Sequence, residues 1–90
     1  MGQEVVIFSS EERADRARVC SFLRELADKI EANDLVLRQG EDETPVDIPD
    51  TLTLEVKLEE ETETSGTEQS LEVELEWKVG GAQHTGVSLG

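Results

Sequence analysis

Six charged residues at alternating positions, Glu55, Lys57, Glu59, Glu72, Glu74 and Glu76, form the most ordered polar set in the chain. They interleave with Leu54, Val56 and Leu58 on one side and with Leu71, Val73, Leu75 and Trp77 on the other. Period two belongs to strands with one dry and one wet face. A wet face of carboxylates can dock a basic partner, imitate a nucleic-acid backbone, or hold a cation weakly. It can also be plain hydrated surface that discourages edge-to-edge association. A calcium loop is not expected: Gln39 to Asp50 is rich in acids but lacks the D-x-[DN]-x-[DN]-G spacing.

The remaining chemistry-bearing residues are sparse. There is one cysteine, Cys20, and one histidine, His84. A Cys and His nucleophile pair needs a rigid scaffold that holds both within hydrogen-bond reach. Cys20 falls at the edge of a helical apolar stripe and His84 in a glycine-rich tail, so Cys20 reads as a small core residue. One Cys and one His cannot make a structural zinc site either. Gly80 and Gly81 invite comparison with ubiquitin-like modifiers, but nine residues follow them. No Walker motif and no G-x-G-x-x-G is present. The residues therefore predict no catalytic set, no metal and no cofactor.

Charge sets the partners. The chain of 90 residues carries 22 acids against 8 Lys and Arg, a net charge of −14. Such a chain repels itself in dilute salt, whereas at ~1 M salt the Debye length shrinks to ~3 Å. The expected setting is a high-salt cytoplasm. Phosphate-directed binding to DNA or RNA needs basic patches, and an anionic membrane repels this surface, so neither is expected. No apolar run is long enough to span a bilayer. Met1 to Val5 lacks the basic and apolar stretches of a signal peptide, and Val6 stands where a myristoylation signal takes Ser or Thr. A single cysteine suits a reducing compartment.

The elements that would position these residues follow from periodicity. Glu4 to Phe8 reads as a first strand. Ser9-Ser10-Glu11-Glu12 has the form of a capping box, opening a helix to about Ala32. Val19, Phe22, Leu23, Leu26 and Ile30 share one stripe of that helix. Arg13, Arg16, Arg18 and Arg24 lie mostly elsewhere, with Arg16 four residues from Glu12 and Arg24 four from Asp28. Further strands are expected at 35–38, at 46–48 between Pro45 and Pro49, at 51–59 and at 70–79, with loops at 39–44 and 60–67. Residues 1–79 then form one α+β domain of order β-α-β-β-β-β. One long helix packs on one face of an antiparallel sheet, in two layers. Residues 80–90 form a flexible tail.

The core of that arrangement is Leu54, Val56, Leu71, Val73, Leu75 and Trp77 against Phe22, Leu23, Leu26 and Ile30. If the last two strands make a hairpin, one allowed register sets Leu58 opposite Leu71, Leu52 opposite Trp77, Lys57 opposite Glu72 and Glu55 opposite Glu74.

An amphipathic strand of acids and aliphatics ending in tryptophan, Leu71 to Trp77, resembles the feature that names the amphi-Trp domain proteins. The opening Val5 to Ser9 and the helix positions Leu23, Leu26, Ala27 and Ile30 are also similar, so the resemblance spans roughly residues 4–79. It implies a stand-alone small domain, frequent in salt-loving archaea, with no catalytic residues to carry over. The functional expectation is a non-enzymatic interaction or adaptor module with an unidentified protein partner, basic if it uses the glutamate face. A self-associating structural protein and an acidic nucleic-acid mimic are the alternatives, and monomer and homodimer both remain open.

Overall fold

The computed structural model describes residues 2–79. It contains one helix and four strands in the order α1 (Arg16–Glu31), β1 (Leu35–Gln39), β2 (Asp42–Val46), β3 (Thr53–Glu63) and β4 (Gly66–Glu76). The class is α+β. The strands form two separate antiparallel hairpins, β1 with β2 and β3 with β4, instead of one meander. The chain divides after Ile48 into two compact units, the first holding α1, β1 and β2, the second β3 and β4.

The expected first strand is not formed: Glu4 to Phe8 lies in no regular element. Val5, Val6 and Ile7 are 76–80% exposed. Strand propensity becomes a strand only where a sheet edge accepts its hydrogen bonds, and here none does.

The helix begins later than the capping box predicts. Asp15 is the N-cap, and its carboxylate accepts from the Arg18 backbone N–H at 2.8 Å. Glu12 does not close a box on Ser9. Its carboxylate instead accepts from the Arg18 guanidinium, at 3.0 Å from Nη2 and 3.4 Å from Nε. At the other end, Asn33 takes the left-handed conformation, φ 55°. The Asp34 N–H then donates to the Lys29 carbonyl at 2.9 Å and the Asn33 N–H to the Ile30 carbonyl at 3.0 Å, closing a Schellman motif.

The first hairpin is tighter than expected. Gln39 pairs with Asp42, leaving only Gly40 and Glu41 in the turn. Gly40 has φ 61°, at the position where a II′ hairpin takes glycine. Pro45 lies within β2, opposite Val36, rather than before it. A two-stranded sheet has only edge strands, so the missing proline N–H leaves no interior ladder partner unsatisfied.

The second hairpin takes one of the registers that the alternation allows. Leu58 faces Leu71, Lys57 faces Glu72 and Glu55 faces Glu74, and the ladder ends at Thr53 opposite Glu76. It also runs further than expected, because residues read as a polar loop continue the ladder to Glu63 opposite Gly66. Beyond Leu58 both faces are polar. The Gln69 amide donates to Glu60 at 2.8 Å and the hydroxyls of Thr62 and Thr67 lie 3.4 Å apart. A tip wet on both sides has no apolar period to announce it.

Among the described residues none is buried. In the first unit Leu26 and Ile30 of α1 and Leu35, Val36 and Leu37 of β1 are half-buried. The residues expected to fill a common core stand open to a greater or lesser degree. Leu54, Val56, Leu71 and Val73 are 61–68% exposed, Leu23 53% and Phe22 44%, whereas Leu75 and Trp77 are half-buried. A two-stranded ribbon is a single layer and cannot cover its own face.

Candidate functional site

The β3 and β4 ladder sorts its side chains by parity. Even positions of β3 and odd positions of β4 build an apolar ladder of three cross-strand pairs, Leu54 with Leu75, Val56 with Val73 and Leu58 with Leu71. The opposite face presents Glu55 beside Glu74, Lys57 beside Glu72, and Thr53 beside Glu76, with Glu59 next to Ser70. The residues expected to share a wet face are thus brought together on one side of one ribbon.

Lys57 is the centre of that face. Its ammonium lies 3.8 Å from Glu59 and 3.6 Å from Glu72. Glu59 first, then Glu72, raise the Lys57 pKa above the ordinary lysine value. Glu55 and Glu74 make no ion pair among the described residues. Two carboxylates directly opposite each other repel, and the neighbouring Lys57, which Glu55 also helps to hold charged, offsets this only in part. Such a face attracts cations and basic side chains over a distance set by salt.

Where the second hairpin opens, Trp77 and Leu52 are half-buried and line an open cavity of about 710 Å³ with Pro49, Thr51, Glu76 and Lys78. Trp77 therefore lines an open depression and is only half-buried. A tryptophan in phase with an apolar strand signals the face it joins; its partial exposure has no sequence signal.

The first unit holds a second cavity, about 480 Å³, between α1, β1 and the segment before the helix. Phe22, Leu26, Leu35 and Leu37 are among its apolar lining, and Arg18, Lys29 and Arg38 are its cations. Arg18 lies over the Phe22 ring, 5.6 Å from the centroid, while the Glu12 hydrogen bond raises its pKa above the ordinary arginine value. The Arg38 guanidinium is likewise held by Glu43 at 2.8 Å across the first hairpin, which raises its pKa. Neither pairing was legible from helical i,i+4 spacing, since Arg18 reaches six residues back to a non-helical glutamate.

Cys20 is half-buried on α1. His84, Gly80, Gly81 and the expected tail lie outside the described residues. No group of three or more His, Cys, Asp or Glu side chains suited to a metal occurs among the described residues. No described helix is long and apolar enough to cross a membrane.

What the hairpin unit displays is an acidic, two-faced β-ribbon that ends at the chain's single tryptophan. The chain belongs to the Amphi-Trp domain family, whose model matches residues 1–89. Comparison with curated proteins and with solved structures returned no match.

Proposed function

We propose that this chain is a non-enzymatic protein-interaction module of a high-salt cytoplasm. It docks a basic partner on the glutamate face of the β3 and β4 hairpin. The observation that carries the reading is the register, which gathers Glu55, Glu59, Glu72, Glu74 and Glu76 around the single Lys57 on one exposed face. Rigid pairing over the ladder fixes the spacing of those carboxylates, so the face offers a pattern as well as a charge. The excess of 22 acids over 8 bases supports the high-salt setting, since hydrated carboxylates keep a protein apart from its neighbours when long-range repulsion is screened.

Charge reversal at Glu55, Glu72 and Glu74 to Lys tests the reading. The variant should lose proteins that the wild-type chain retains from its host's lysate at native salt, while its circular dichroism stays unchanged. An identical retained set from a folded variant would overturn it. A Cys20→Ala variant with no consequence in the cell is expected on the same reading, because no chemistry depends on that thiol.

A further inference from the structure

We draw no further inference here: the strongest candidate, the exposed apolar face of the β3 and β4 hairpin formed by Leu54, Val56, Leu58, Leu71 and Val73, carries nothing because nothing in the structure shows what covers it.

Discussion

Glu55 stands directly opposite Glu74 across the β3 and β4 ladder, two residues along each strand from Lys57 opposite Glu72. One ribbon therefore holds a repulsive and an attractive cross-strand pair side by side. Glu55→Lys should convert the first into the second and stabilise the chain by about 0.5 kcal/mol in dilute salt. The wild-type chain should itself melt lower in about 0.05 M than in about 2 M KCl, and the advantage of Glu55→Lys should vanish at the higher value. Urea unfolding at both salts checks this, and a gain that ignores salt would contradict it.

The helix cap gives a prediction in which two positions compete. Asp15 accepts from the Arg18 N–H at 2.8 Å, so Asp15→Ala should cost about 1 kcal/mol. Ser9→Ala should stay within about 0.5 kcal/mol, as for a surface site that caps nothing. A larger loss at Ser9 in denaturant titrations would restore the capping box.

Asn33 closes the helix with φ 55°. An alanine there meets the left-handed penalty of about 1 kcal/mol, whereas glycine is free of it. Asn33→Ala should therefore destabilise and Asn33→Gly should be neutral or better, in the same titrations. Equal effects of the two would remove the backbone argument.

The caps and the hairpins show what was legible and why. The register of β3 and β4 was readable in part, because alternation puts Leu58, Leu71, Val56 and Val73 on one face in every register that differs by two residues, and the observed pairing is one of those. The acidic face came with it, by parity. The helix start was misplaced because Ser9 and Glu12 have the spacing of a box, although Asp15 lies closer to Val19, the first residue of the apolar stripe. The strand at Val5 to Phe8 failed for a different reason: its residues favour extended backbone, but pairing depends on an edge elsewhere in the chain. The hairpin tip from Glu60 to Thr67 was unreadable because a ladder solvated on both faces needs no pattern. The pairing of Arg18 with Glu12 and Phe22 depends on where the segment before the helix lies, which no local rule supplies.

Lys57 makes the face sensitive to alkaline pH. Its pKa is raised by Glu59 and then by Glu72, so the folded state favours the charged lysine more than the unfolded chain does. That contribution is complete below the ordinary lysine pKa of about 10.4 and is lost as the pH climbs through the raised value. An NMR titration of the Lys57 side chain should show the elevation. Glu59→Gln and Glu72→Gln should each bring it down; no response to either would contradict the pairing.

Zero-length carbodiimide cross-linking at native salt, read by mass spectrometry, tests the central claim most directly, because it joins carboxylates only to lysines that touch them. The account predicts bonds between lysines of a partner and Glu55, Glu59, Glu72, Glu74 or Glu76, lost in the Glu55, Glu72 and Glu74 to Lys variant. Partner cross-links confined to acids of the first unit, such as Glu25 or Asp28, would contradict it.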